Sequence, residues 1–350
     1  MRKARRIALR CALVLAGLVA AIVVAEVVVR ATDPLGTSYY RDVNRYVGHA
    51  ITLVGAPVTR SSRIFEAKAN VDLELATFRF RTDERGLRTG TAPPEPAAAP
   101  GERMRILFLG DSVTLGWGVD DEDTWVRRLE RDARAAPDAP LECLNAGHIL
   151  YNTVQQADWL AAHGEELDPD LVVLTFVVND IDDHYGLYQE LTGAVERRAE
   201  QAPAPAAHGW IARARPWVPA LSEVALYLVR RNASLSVPRQ DPATIESTPE
   251  YVEGWARVEP GLERILALCD ELEAPLVVLD SAVPWIPGLR RWCEANGVPW
   301  YPFAFTPDER ERDIENSLAD PHANALGNEL LYAKAHAALA DAGYLAPRAD

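Results

Sequence analysis

Residues 105–119 read RILFLGDSVTLGWGV, and the change inside this stretch from an apolar run to a polar turn decides the fold. Five apolar-dominated residues at 105–109 are too few for a core helix, and they suit a strand covered on both faces of a parallel sheet. Gly110-Asp111-Ser112 then turns the chain, and a helix is expected from there through about residue 134. A serine that opens a helix directly after a strand sits among unpaired N–H groups at the positive end of the helix dipole. Serine is also a favoured N-cap, so by itself Ser112 proves no chemistry.

Working outward, the same strand-then-helix rhythm repeats. Strands are expected at 141–145, 170–178, 275–280 and 298–303, with helices at 151–164, 251–272, 289–296 and 324–342. Five strands alternating with helices imply a parallel, three-layer α/β/α sandwich, in which ligands meet the carboxyl ends of the strands. An insertion at 186–250 interrupts the rhythm, with a Pro/Ala segment at 201–207. Its amphipathic stretch at 221–230 carries Leu221, Val224, Ala225 and Leu228 and suits a lid, a membrane contact or packing on the domain equally well. Upstream, residues 73–81 alternate, with Phe78 and Phe80 two apart, and read as one strand ending at Asp83-Glu84-Arg85-Gly86. Residues 91–101 (TAPPEPAAAPG) read as a linker. The expected organisation is therefore a tip and membrane helix at 1–31, a connecting region at 32–102, and a domain at 103–345 that carries the insertion.

The N-terminus has its own signature. Arg2, Lys3, Arg5, Arg6 and Arg10 precede an apolar run from 11 to 29 broken only by Glu26. That run is long enough to cross a bilayer core of ~30 Å. The basic flank places the N-terminus in the cytoplasm and the remainder outside. A signal anchor and a cleaved signal peptide both fit, since Ala20, Ala21 and Ala25 resemble the small residues near a cleavage site. A net charge of −15, with no basic cluster beyond the N-terminus, excludes a nucleic-acid binder. Of the four cysteines, none forms a C-x-x-C pair, so a zinc site is not expected; Cys269 and Cys293 are either buried thiols or one bridge.

Chemistry-bearing residues gather in the loops. After the second strand comes Asn145-Ala146-Gly147-His148, and after the third Asn179-Asp180-Ile181-Asp182-Asp183. Asp320-Pro321-His322 precedes the last helix. A serine nucleophile needs a base, the base needs an orienting carboxylate, and the tetrahedral oxyanion needs donors. The order Ser, Gly, Asn, Asp-His supplies each. With these residues in view, the sequence resembles the SGNH (GDSL-type) hydrolases, through RILFLGDSVTLGWGV, LNAGHILYNT, LTFVVNDIDD and ADPHANALG, over about residues 103–342. It is most similar to membrane-anchored bacterial members, which also carry a Gly-Leu-Arg-like turn, here Arg85-Gly86-Leu87-Arg88.

The resemblance implies a flavodoxin-like fold, ester or acyl-group chemistry and neither metal nor cofactor. It makes Ser112 the nucleophile, His322 the base and Asp320 the orienter; Ser112 N–H, Gly147 N–H and the Asn179 side chain form the oxyanion hole. Two departures stand out. Val177 occupies the place of the usual glycine before Asn179, and the usual acid position three before the histidine is Ala319, with Asp320 two before. The expected substrate bears an ester, on an acylated glycan or lipid. Transfer to a sugar hydroxyl is the alternative within the same chemistry, and a silent glycan-binding or scaffold module is the alternative from another class. An α/β-hydrolase would need Gly-x-Ser-x-Gly, which 110–114 lacks. Asp180, Asp182, Asp183 and His184 read as a solvated acidic loop in preference to a metal site.

Overall fold

Alternation along the first strand explains the layering. Ile106 and Phe108 point to one face of the sheet and Leu107 and Leu109 to the other, and all four are buried. The computed structural model describes residues 2–54, 65–90, 103–134, 141–181, 217–218, 220–222, 224–225, 227–228, 249–283 and 286–347. The expected linker at 91–101 and most of the insertion at 186–250 fall outside these residues.

The chain opens with α1 (Arg2–Thr32) and α2 (Ser38–His49). Two small antiparallel pairs follow: β1 (Ile51–Leu53) with β2 (Phe65–Ala67), and β3 (Asp72–Glu74) with β4 (Arg79–Arg81). Then come β5 (Met104–Gly110), α3 (Ser112–Leu115), α4 (Trp125–Arg134), β6 (Leu141–Gly147), α5 (Thr153–Leu167) and β7 (Leu171–Phe176). After the insertion the chain continues through α6 (Pro249–Glu271), β8 (Leu276–Asp280), α7 (Pro287–Asn296), β9 (Trp300–Pro302), α8 (Pro307–Arg310) and α9 (Ala325–Asp341).

The five strands β5–β9 form one parallel sheet in the order β6-β5-β7-β8-β9. This is the flavodoxin-like order, and its topological switch point lies between β5 and β7. Trp125, Leu129, Leu331, Ala335 and Leu339 from α4 and α9 cover one face. Leu160, Leu262, Ile265 and Leu289 from α5, α6 and α7 cover the other. The same second cluster takes in Tyr46, Phe65, Phe78, Phe80 and Leu87, so the described residues between the first helix and the domain pack into its core. Cys269 and Cys293 are both buried, unbridged thiols whose pKa burial pushes up to about 12.

Two elements differ from the sequence reading. Residues 73–81 are a hairpin and not one strand: Leu73 pairs with Phe80, and Leu75 N–H bonds the Phe78 carbonyl across the turn. Leu73, Leu75, Phe78 and Phe80 are all buried, and the alternation slips by a single residue at Ala76-Thr77, the one mark the reversal leaves in the pattern. The helix expected from 112 to 134 is broken after one turn. Gly116 (φ +70) ends α3 in the left-handed conformation that glycine adopts without strain, and Gly118 (φ +92) bends the chain again.

The first helix contains a 28-residue apolar stretch, Arg5–Thr32, long enough to span a membrane. Glu26, its one acidic residue, pairs with Arg30 at 2.8 Å and accepts the N–H groups of Ala220 and Leu221 at 3.0 and 2.9 Å. Residues 220–222, 224, 225, 227 and 228 are helical, so Glu26 caps the start of that helical stretch.

Candidate active site

Asp111 sets the geometry of the first loop. Its Oδ1 accepts the Val113 N–H at 2.9 Å, capping α3, and its Oδ2 accepts Asn179 Nδ2 at 3.0 Å. One carboxylate thus ties the loop after β5 to the loop after β7, across the switch point. Ser112 is the first residue of α3, and its N–H lies outside the helical ladder, as every first-turn N–H does.

Residues 316–323 bring the third partner. Asn324 caps α9 by accepting the Leu326 and Gly327 N–H groups, both at 3.0 Å, which fixes the chain two residues after the imidazole. His322 Nε2 lies 2.8 Å from Ser112 Oγ, and His322 Nδ1 lies 2.5 Å from Asp320 Oδ1. An ionised carboxylate only accepts, so the Nδ1 proton points at Asp320 and Nε2 is left as the acceptor of the Ser112 hydroxyl proton. Asp320 is 4% exposed and is also held by Asn316 Nδ2 at 3.3 Å and, through its N–H, by Ser317 Oγ at 3.1 Å. The carboxylate two residues before the histidine therefore reaches the ring nitrogen, even though Ala319 stands at the more usual place.

A cavity of about 180 Å³ opens beside Ser112 and His322, lined by the apolar Val113, Trp117, Phe305 and Leu331 and by the polar Ser281, Arg310, Glu315 and Asn328, among others. Trp125 faces away from it: the ring is fully buried and its Nε1 donates to the Val113 carbonyl at 2.9 Å.

Gly147 is placed beside this site, but its N–H donates to Asn145 Oδ1 at 3.0 Å and so is engaged. What the glycine provides is room: a Cβ there would meet Leu115 N at 2.2 Å, so only glycine lets α3 close against β6. Asp180 belongs to no solvated loop. It is buried, accepting Val177 N–H at 2.8 Å and the Thr153 hydroxyl at 2.9 Å, and burial pushes its carboxyl well above the usual range. Val177, in the glycine's usual place, is buried as well. Asp182, Asp183 and His184 lie outside the described residues, and no cluster of metal-ligating side chains occurs among those described. The sequence pattern gave no sign of what Asp111 does, since its acidic side chain looked like part of a turn.

The class to which the chain belongs, the hydrolases that act on ester bonds, follows from its family. The pattern of the GDSL-like lipase/acylhydrolase family matches residues 108–330, well over half of the chain, and the chain belongs to that family. Among solved structures, it is similar to the psychrotrophic esterase EstA from Pseudoalteromonas sp. at 12% identity, covering 69% of this chain and 99% of that one with a TM-score of 0.43. The lipase/acylhydrolase from Enterococcus faecalis matches at 15% identity, 71% and 100% coverage and a TM-score of 0.39. An acetyl xylan esterase from Geobacillus stearothermophilus matches at 13% identity, 70% and 97% coverage and a TM-score of 0.39. No curated protein matches the sequence.

Proposed function

We propose that this chain is a serine esterase that works by two-step acyl transfer, with Ser112 as nucleophile, His322 as general base and Asp320 as the group that orients the imidazole. The observation that carries the reading is the continuous relay from Asp320 Oδ1 through both ring nitrogens to Ser112 Oγ, at 2.5 and 2.8 Å. Ser112 attacks the ester carbonyl as Nε2 takes its proton. The imidazolium then protonates the leaving alkoxide, and water, deprotonated by the same nitrogen, releases the acyl group.

The donors we assign to the oxyanion are the Ser112 N–H and the second N–H of Asn179 Nδ2, whose first is directed by Asp111. Because Asn145 holds the Gly147 N–H, that group is not counted as a donor here. Replacing Asn179 by alanine is expected to lower kcat roughly 10²–10³-fold with little change in KM, as for other side-chain oxyanion donors. Steady-state kinetics on a short p-nitrophenyl ester reads the split; a raised KM with unchanged kcat would mean that Asn179 only binds the ground state.

The small, largely apolar cavity supports a short acyl group, below the ~300 Å³ at which drug-sized ligand pockets begin. The N-terminal helix supports a protein held in a membrane with its basic end inside and its hydrolase domain outside, where acylated envelope glycans or lipids are the accessible esters. The full chain in detergent micelles, given acetylated oligosaccharides with and without an acceptor sugar, is expected to release acetate at the same rate in both. Acyl groups appearing on the acceptor at the expense of acetate would make the enzyme a transferase.

A further inference from the structure

The loop at 316–323 carries both the imidazole and its carboxylate, and much of what braces it comes from outside the family-matched residues. Ala319 N–H donates to the Leu35 carbonyl at 2.9 Å. Gly36, at φ +68, lies directly against Ser317, where a Cβ would sit 1.9 Å from Ser317 Oγ. That hydroxyl is the one accepting the Asp320 N–H. The Tyr39 ring packs on the His322 imidazole with centroids 5.9 Å apart, and stands edge-on to Trp117 at 6.1 Å. Trp117 in turn lies 6.3 Å from the same imidazole.

The segment making these contacts is itself fixed. Asp33 caps α2, accepting the Thr37 and Ser38 N–H groups at 2.8 and 3.1 Å and the Thr37 hydroxyl at 3.2 Å, while its carbonyl accepts the Gly36 N–H at 2.9 Å. The first helix ends at Thr32, so the clamp begins one residue beyond it. On the far side of the loop, Tyr227 donates its hydroxyl to the Leu318 carbonyl at 3.0 Å, from the helical stretch that Glu26 of the first helix caps.

We propose that residues 33–39 are a positioning element for the reaction: Leu35 and Gly36 set the backbone height of the 316–323 loop, and the Tyr39 ring fixes the orientation of the His322 imidazole. The inference rests on the roles given above to Ser112 and His322. Displacing a reacting group by ~1 Å can cost about 10²-fold in rate, so a wall that stops the ring from tilting has a measurable effect on kcat. Tyr39 acts through His322 and is a positioning residue, not a catalytic one. It also places the reactive loop at the base of the apolar helix, so the segment that leaves the membrane is the one that completes the site.

The test uses the full-length chain in detergent micelles, with a short p-nitrophenyl ester and a fluorophosphonate probe that labels an activated serine. In Tyr39→Ala, kcat is expected to fall about 10–100-fold with KM within about twofold, and labelling to slow in parallel. Tyr39→Phe keeps the ring and is expected to stay within about threefold of the parent. Gly36→Ala presses a methyl on Ser317 and strains a φ of +68 while keeping the Tyr39 side chain, and is expected to lower kcat by about tenfold or more, which keeps the proposal testable if Tyr39→Ala does not fold. Full activity in a folded Tyr39→Ala or Gly36→Ala protein overturns the proposal, and so does a Tyr39→Phe protein as slow as Tyr39→Ala. Ser112→Ala run alongside separates the two readings: turnover surviving there removes the site assignment itself, whereas an inactive Ser112→Ala beside fully active Tyr39→Ala and Gly36→Ala removes only the positioning role.

Discussion

Replacing Ser112 by alanine is expected to lower kcat on a short p-nitrophenyl ester by about 10⁴-fold or more and to abolish fluorophosphonate labelling, with the melting temperature unchanged. The size of the effect follows from the relay. Ser112 Oγ is the atom that His322 Nε2 faces, and without it the imidazole can only activate a water with no fixed position. Residual turnover of roughly 10³-fold over the uncatalysed rate is expected from the oxyanion donors alone. The fold does not depend on the hydroxyl: its other contact is a long one, 3.4 Å to Asp111 Oδ2. His322→Ala is expected to match Ser112→Ala within about tenfold, and the double variant to be no worse, because the pair acts as a unit. Losses that multiply in the double variant would mean that the two residues work independently, and Ser112 would not be the nucleophile.

Ser112 and Asn179 were legible in the sequence because each closely follows a strand, and a parallel sheet collects such positions on one edge; Asp320 and His322 were read from the Asp-Pro-His run before the last helix, in a loop that follows a helix. Ser112 follows β5, Asn179 follows β7, and the order β6-β5-β7 makes those two loops neighbours. The alternation of short apolar runs with helices was equally readable, since strands covered on both faces leave apolar runs such as 171–174. What stayed hidden was whatever depends on a neighbour distant in the chain. Nothing local shows that Gly147 lies directly under Leu115, or that Asn145 turns its side chain back onto the Gly147 N–H. Asp180 reads as one of several acids in a polar run, yet Thr153 on another helix draws it into the interior. The segment at 33–39 carries no motif, and its importance comes only from lying against the loop at 316–323.

Replacing Arg88 by methionine is expected to destabilise the protein by about 3–5 kcal/mol, the usual cost of breaking a buried charge cluster from one side. Arg88 closes the Arg85-Gly86-Leu87-Arg88 turn, and its N–H bonds the Asn145 carbonyl at the edge of β6. Its guanidinium is fully buried over the rings of Phe78 and Phe80, at 5.5 and 5.8 Å. Nη1 donates to the carbonyls of Leu115 and Gly116 at 2.5 and 2.6 Å, and Nη2 donates to that of Val119. These are carbonyls that the one-turn helix α3 and the loop after it leave without backbone partners. Nε faces Asp121 Oδ1 at 3.7 Å; burial pushes that carboxyl up, and the Arg88 and Arg127 charges pull it back. Methionine fills the volume but strands three carbonyls and leaves the buried Asp121 carboxylate facing Arg127 alone, at 3.6 Å. Lysine is expected to recover less than half of the loss, because a single ammonium cannot span carbonyls that a planar fork meets in two directions. Adding Asp121→Asn to Arg88→Met is expected to regain ~1–2 kcal/mol by removing a buried charge that has lost one of its two cationic partners. Denaturant titration of the full chain gives the four free energies. A loss below ~1 kcal/mol in Arg88→Met would show that water replaces the fork at little cost. A loss of the expected size means that the helix bearing Ser112 is held by a side chain some twenty residues upstream of the family-matched segment, and that Ser112 and the residues before that segment are one folding unit.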